Sequence, residues 1–342
     1  MTADLDAWRP SCSKQMLFVR AEMLKAIRQF FQDHGYLEVE TPCLSRDVVL
    51  DAWLEPFEVH VKGERWFLQT SPEAHMKRLL AADVGSIFQF SRVFRNGERG
   101  SRHNPEFTML EWYGVDTDWL QQVDMTEAIV RTALAAAAKV TGHNVADQWK
   151  KSAFRRSTYA AAFQQAFDID LFGCTTQQLL DAAHNTQIAL PPGLLHDRVD
   201  DILNVMLAIA IEPQLGGEVP NGEIWPEFLC DYPPSQAALA VVSDTRPPVA
   251  RRFELYVQSL ELCNGYQELT DAVELEHREA IDKRCRTGDI SEELPGAKRL
   301  ANAMRSGLPP CSGVALGFDR LVMVATECRD IQEVMPFPVE RA

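Results

Sequence analysis

The sequence predicts an α+β fold with a mainly antiparallel sheet flanked by helices. Strand-like and helix-like segments are mixed along 342 residues without regular βαβ alternation. Two strand-like runs, 86–94 and 106–113, flank a gap rich in Gly, Ser and Asn that suits a long hairpin loop. A hydrophobic content of 46% allows a large core, and no repeat, low-complexity segment or linker interrupts it. The chain therefore reads as a single domain over residues 1–342.

Each element has its own signal. From Lys14 to Asp33, Leu17, Ala21, Leu24, Ile27 and Phe31 step by three or four, which predicts a helix burying that face, with Gly35 just past its end. Residues 36–40 alternate as a short strand that Thr41-Pro42 ends. Residues 65–70 read as a further strand, and 126–140 as an alanine-rich helix. The stretch 151–213 has helical patterning, and 214–226, rich in Gly and Pro, reads as a surface excursion. Strand patterns resume at 227–232 and 252–262, and 317–326 reads as a helix opened by a glycine-containing segment.

Composition excludes several classes. Lys and Arg number 34 against 49 Asp and Glu, a formal charge of −15, which argues against extended contact with a nucleic-acid backbone. The eight cysteines show no C-x-x-C pair and no zinc spacing, so they read as reduced, packed thiols. Met1 to Pro10 lacks an apolar signal-peptide core, and the longest mostly apolar run, 202–211, is about half of a spanning helix. The expectation is a soluble, cytoplasmic protein with no membrane partner.

Four stretches carry chemistry. In the first, Arg95 ends a strand, Asn96, Gly97 and Glu98 follow, Arg102, His103 and Asn104 occupy the loop tip, and Phe107 lies on the returning strand. A fixed charge, mobile charges and a stacking face suit ATP; taken by itself, such a block is more often a charged hairpin on a solvated surface. The second, Gly313 to Leu321, holds Gly317 and Arg320, a close backbone approach and a charge beside phosphates. The third is Glu38 to Pro42. The fourth, Glu261 to Asp271, adds Leu262, Asn264 and Glu268, and with Glu254 gives three carboxylates at seven-residue spacing that could converge on one cleft. Magnesium takes one or two protein carboxylates plus phosphates, and an ammonium substrate could take the rest.

The first three stretches resemble, in order, motifs 2, 3 and 1 of class II aminoacyl-tRNA synthetases, and the fourth resembles the lysyl-type E-x-x-N-G-x-x-E pattern. The resemblance runs from about Lys14 to Ala342 and implies a class II synthetase catalytic core. Motif 1 begins almost at the start, where lysyl-tRNA synthetases carry an anticodon-binding domain, so tRNA is not the expected partner. Ser71 before Pro72-Glu73, Ala315 in motif 3, and the stretches H-M-K-R-L-L, H-N-P-E-F-T-M-L-E-W-Y and C-S-G-V-A-L-G resemble the truncated lysyl-synthetase paralogues, the elongation factor P (R)-β-lysine ligases.

That resemblance implies ATP-dependent formation of an aminoacyl-adenylate, with magnesium, then transfer to a lysine of elongation factor P. Arg95 would hold the α-phosphate and carboxylate, Arg102, His103 and Arg320 the outer phosphates, and Phe107 with Arg320 the adenine. Glu261 with Glu254 or Glu268 would hold the metal, and Ser71, Pro72, Glu73, Tyr113, Asn264 and Glu268 would line the amino-acid pocket. Motif 1 implies a homodimer. The family pattern Phe-Arg-x-Glu meets Gly97 here, so either the Gly97 backbone or Glu98 makes the adenine contact. A brief lysyl-tRNA synthetase, a small-molecule ligase of the asparagine-synthetase type and a non-catalytic regulator are the alternatives. The lysine-like acidic pocket argues against the second, and retention of Arg95, Glu261, Glu268 and Arg320 against the third.

Overall fold

The structure, a computed structural model, describes residues 8–50, 54–143, 145, 147, 153–191, 199–217, 224–285 and 294–342. Of the expected surface excursion, residues 218–223 lie outside the described residues. In chain order the elements are α1 (Lys14–Asp33), β1 (Leu37–Glu38), β2 (Leu44–Ser45), β3 (Glu58–Val61), β4 (Glu64–Leu68), α2 (Glu73–Leu80), β5 (Ile87–Phe94), β6 (Glu106–Val115) and α3 (Trp119–Thr141). There follow β7 (Arg155–Thr158), α4 (Tyr159–Phe167), α5 (Thr176–Asn185), α6 (Val199–Met206), β8 (Glu227–Tyr232), β9 (Ala250–Val257) and β10 (Leu260–Gln267). The chain ends with α7 (Ala272–Cys285), α8 (Lys298–Gly307), β11 (Cys311–Gly317) and α9 (Phe318–Thr326).

These elements form two compact units, Met1–Asp147 with Glu268–Ala342, and Gln148–Gln267. In the first, the strand order is β1-β5-β6-β11, parallel at β1/β5 and antiparallel elsewhere, and β2-β4-β3 form a small antiparallel sheet. Helix α1 packs on α3, and α3 and α9 pack on the strands. The second unit orders β10-β9-β8-β7, antiparallel except at β7/β8, around a core that includes Tyr159, Phe163, Tyr232 and Tyr256. The predicted α+β class with mainly antiparallel pairing holds.

In the first unit Phe31 of α1 stacks on Phe88 of β5 at 4.4 Å and lies 5.5 Å from Trp112 of β6, all three fully buried. The indole nitrogen of Trp112 donates to Gln122 of α3 at 2.7 Å, so strand and helix share a satisfied polar contact inside the core. The buried face of α1 differs from the expected one. It is Met16, Val19, Met23, Ile27 and Phe31, while Leu17 is 40% exposed. Two apolar stripes wind side by side along this helix, and the spacing of Leu17, Ala21 and Leu24 follows the outer one. Met16 and Met23, whose flexible side chains fill gaps, select the inner one.

Two further differences have local causes. The segment expected as one strand over 252–262 is the β9/β10 hairpin, turned at Gln258 and Ser259 with φ of +51° and +58°. That turn needs left-handed backbone but uses neither Asn nor Gly, so no hairpin signal is written in the sequence. Strand β7 interrupts the stretch expected to be helical. Helix α3 starts seven residues before the expected 126, at Trp119, because Asp118 and Gln121 make a reciprocal capping box. Asp118→Ala should therefore lower stability by about 1 kcal/mol in urea denaturation, the usual worth of a lost N-cap.

Candidate active site

In the first unit, β5 ends at Phe94 and β6 begins at Glu106, so the loop between them is the predicted hairpin loop. The Arg95 backbone nitrogen donates to Pro105 O at 2.8 Å, which closes the loop mouth. The Arg95 guanidinium lies 5.1 Å over the Phe107 ring, its Nη1 sits 3.4 Å from Glu98, and its Nε is buried with no acceptor among the described residues. A cation fixed over an aromatic face, with a donor still to satisfy, is suited to an anionic ligand. Gly97 adopts φ +83°, where any other L-residue would be strained, so the loop takes glycine where the family pattern has glutamate, and Glu98 turns toward Arg95.

Across the loop, Arg320 of α9 donates to His103 Nε2 at 2.8 Å and to Arg102 O at 3.4 Å. Burial and then the neighbouring Arg320 charge lower the His103 pKa, so the ring accepts as a neutral imidazole. Gly317 caps α9 beside the Arg320 stem. Arg95, Phe107, His103 and Arg320 are thus carried by the ends of adjacent strands and the start of α9. Asn96 is exposed, its backbone bound to Glu55 O at 2.8 Å. Asn104 is committed to backbone: it donates to Glu106 O at 2.6 Å and accepts from Val339 N at 3.0 Å.

The same unit holds an acidic pocket. Ser71 donates to Glu111 Oε2 at 2.8 Å and Tyr113 donates to Glu111 Oε1 at 2.6 Å. Lys77 is fully buried, 2.6 Å from Glu73 and 2.5 Å from Glu268. Pro72 stands at the N-cap of α2 and admits Glu73 into its first turn. Gly313 is required at the pocket wall. A Cβ there would fall 2.4 Å from the Tyr113 ring and 2.5 Å from Glu268 Oε1.

Burial drives the electrostatics of this pocket. Glu111 is pushed up to about 8, by burial first and the Glu73 charge second, against its hydrogen bonds from Tyr113 and Ser71. Burial likewise raises Glu268 to about 7, against the pull of Lys77. The Lys77 ammonium, which burial alone would discharge, is held charged by Glu268 and Glu73. Such a pocket suits a cationic ligand that supplies the missing countercharge.

In the second unit, Glu254 of β9 accepts from Arg252 at 2.5 Å, Tyr256 at 2.6 Å and Asn264 at 3.1 Å. The β9/β10 register sets Asn264 opposite Glu254 and Glu261 opposite Tyr256. Leu262 is buried on β10. Glu254 is 6% exposed and both its oxygens hold protein donors, while Glu261 is half-buried. Magnesium takes one or two carboxylates with phosphate oxygens, and Glu254 could join such a donor set only by exchanging a present partner. No group of three or more His, Cys, Asp or Glu suited to a metal occurs among the described residues. Glu254 and Glu261 thus share one hairpin, while Glu268 is engaged with Lys77 in the other unit.

Lys77, Glu111 and Asp319 were missed by sequence reasoning. Glu73 and Lys77 at i,i+4 share a helix face, and Glu111 is the only charge in the run Met109 to Tyr113, a buried strand where a carboxylate needs a purpose. The two sequence positions that marked the truncated lysyl-type paralogues meet at this residue: Ser71 by its hydrogen bond, and Ala315 as the register partner of Glu111 on β11.

Among the described residues no helix is long and apolar enough to cross a membrane. Residues 3–341 match the family model for class II tRNA synthetases (D, K and N). The chain is 39% identical to the elongation factor P–(R)-β-lysine ligase of Salmonella arizonae, and 40% identical to those of Salmonella paratyphi B and Salmonella schwarzengrund. Each match covers 341 residues and 98% of both chains. The chain therefore belongs to the class II tRNA synthetases of the D, K and N type, within the branch of the elongation factor P–(R)-β-lysine ligases.

Proposed function

We propose that the chain is an ATP-dependent ligase that activates (R)-β-lysine as its adenylate and transfers it to the ε-amino group of a lysine on elongation factor P. The observation that carries this reading is the group of buried Glu111 and Glu268 with half-buried Glu73, which calls for a ligand with more than one ammonium. The names of the relatives supply the particular amino acid and acceptor. One family model spanning both compact units supports reading them as one catalytic domain.

In the first step a carboxylate oxygen of the amino acid attacks the α-phosphorus of ATP, the bond to the bridging oxygen breaks, and pyrophosphate leaves. The carboxylate is already a nucleophile, so no side-chain base is needed. Arg95 orients the carboxylate and α-phosphate and offsets the charge that develops. Phe107 and Arg320 hold the adenine, and Arg102, His103 and Arg320 the outer phosphates. Magnesium, which the lysyl-type pattern assigns to Glu261 with Glu254 or Glu268, would offset phosphate charge. Glu73, Glu268, Tyr113 and Ser71 face the ammonium groups, with Glu111 behind Ser71 and Tyr113, and the lysyl-type pattern also assigns Asn264 to the amino acid. In the second step the acceptor amine attacks the acyl carbon, AMP leaves, and the amine proton passes to solvent. A homodimer through α1 and β1 is part of the proposal, supported by the exposure of Leu17, Phe18 and Leu37 there. Cytoplasmic location follows from the acceptor.

ATP–pyrophosphate exchange with (R)-β-lysine and α-lysine, followed by mass measurement of elongation factor P, tests this. Exchange with (R)-β-lysine and a lysyl-sized mass increase are expected, and a parallel incubation with tRNA should stay uncharged. Absence of exchange with both amino acids would overturn the reading.

The pKa directions add a pH test. An ammonium ligand needs ionised Glu111 and Glu268, so binding releases protons. The KM for the amino acid should fall about tenfold per pH unit per proton released as pH rises from about 6 to 8. Carboxylates raised by folding stabilise the fold below their unfolded pKa and lose that contribution as pH rises through about 7 to 8. The protein without amino acid should therefore melt at a higher temperature at pH 6 than at pH 8.5, and added amino acid should protect it more at the higher pH. A pH-independent KM would remove these carboxylates from binding.

A further inference from the structure

Lys77 is the one lysine buried with no exposed surface among the described residues, and the reaction just described gives it nothing to do. Burying an ammonium is costly unless its charge is answered and its geometry is good. Here it is answered twice. Glu73 lies one turn earlier on α2, 2.6 Å away, and Glu268 arrives from the segment after β10, 2.5 Å away. The Tyr113 ring of β6 lies 5.9 Å from Nζ. Glu73 is tied further: its backbone nitrogen donates to Ser71 Oγ at 3.0 Å, and Ser71 holds Glu111. Two arms of one cation and one hydroxyl relay thus fix three carboxylates. A Cβ at Gly313 would fall 2.5 Å from Glu268 Oε1, so the glycine on β11 leaves the room in which this carboxylate meets Lys77.

Charge gives the arrangement its meaning. Glu73, Glu111 and Glu268 against Lys77 leave a formal two negative charges in a buried pocket, the number that a diammonium amino acid carries in positive charge. Without Lys77 the pocket would hold three carboxylates against two ammonium groups, and the excess would be relieved by taking up a proton, which weakens the hold on the ligand. We propose that Lys77 is a positioning residue that sets the charge and shape of the amino-acid pocket, locking Glu73 to Glu268 so that the remaining charge matches a diammonium ligand. This rests on the ligase reading above. The groups facing Lys77 are Glu73 on its own helix, Glu268, Tyr113 on β6, and the Cys311 thiol on β11, which burial pushes up to about 12; Glu111 acts on this group through Glu73 and Glu268.

The test is steady-state pyrophosphate exchange by the full chain carrying Lys77→Met, with (R)-β-lysine and with ATP varied in turn from pH 6 to 9. The expected result is at least about a tenfold rise in the amino-acid KM, an ATP KM within about twofold of wild type and a modest change in kcat. The acid limb of kcat/KM should move to higher pH by about one unit, because the carboxylates lose their cation. An unchanged amino-acid KM overturns the proposal. So does a parallel rise in both KM values with an unmoved acid limb, the outcome of a purely structural lysine. If Lys77→Met cannot be purified folded, Lys77→Gln, which keeps a donor but no charge, carries the same test. Wild-type protein inactive with every diammonium acid removes the ligase reading and this proposal together. Active wild type with an unaltered variant removes this proposal alone.

Discussion

Replacing Arg95 by alanine is expected to lower kcat/KM for pyrophosphate exchange by about 10³-fold, in the range of other single arginines that stabilise transferring phosphoryl groups. The magnitude follows from how Arg95 is held. Its guanidinium is preplaced over Phe107, its Nε has no acceptor among the described residues, and its ion pair with Glu98 is a 3.4 Å contact, which a phosphate can outcompete. A charge kept in position needs no rearrangement as the reaction proceeds, so its loss falls on the transition state. The fold depends little on it, since a partly exposed pair of this length is worth about 0–1 kcal/mol. The melting temperature should therefore stay close to wild type. Arg95→Lys should recover only part of the activity, because an ammonium supplies the charge without the planar two-point geometry. Full activity in Arg95→Ala would remove Arg95 from its assigned role, and a large drop in melting temperature would make it a structural residue.

Much of this site could be read from sequence because motif residues sit at element ends, where local signals are strong. The 86–94 and 106–113 runs and their loop give β5, β6 and the positions of Arg95 and Arg102 almost residue for residue. The proposed nucleotide wall is thus written locally. The amino-acid pocket is less so. Ser71, Glu73 and Tyr113 carry family patterns, but Lys77 and Glu111 become meaningful only through contacts 191 and 40 residues away in sequence, to Glu268 and Ser71. Such pairings are a property of the sheet and of α2 packing together, and no window along the chain contains them. The β9/β10 turn shows the opposite limit. Its left-handed Gln258 and Ser259 are imposed by pairing of the flanking strands, which overrides local preference. The seven-residue spacing of the three carboxylates likewise says nothing of the partners that Glu254 takes, Arg252, Tyr256 and Asn264.

Asp319→Ala is expected to be the most destabilising of these substitutions, by about 3–5 kcal/mol, the usual cost of leaving one member of a buried ion pair uncompensated. Asp319 is 1% exposed and lies next to Arg320 at the start of α9. One oxygen faces Arg20 of α1 at 2.6 Å and the other accepts the Thr108 backbone N–H at 2.7 Å, beside Phe107. Arg20 also donates to Val334 O at 3.0 Å and lies 5.1 Å over the Phe318 ring, so it cannot turn to water without breaking both contacts. Truncation therefore leaves a largely buried guanidinium without its countercharge and the Thr108 N–H without its acceptor. It also loosens the register between Phe107 and Arg320, so the ATP KM should rise in protein that remains folded. Urea denaturation separates charge from packing. Arg20→Met with Asp319→Asn removes both charges and keeps an acceptor for Thr108, and should regain more than half of the lost stability. Asp319→Ala costing no more than about 1 kcal/mol, the worth of a single neutral hydrogen bond, would show that the pair does not join α1 to the two walls of the nucleotide site.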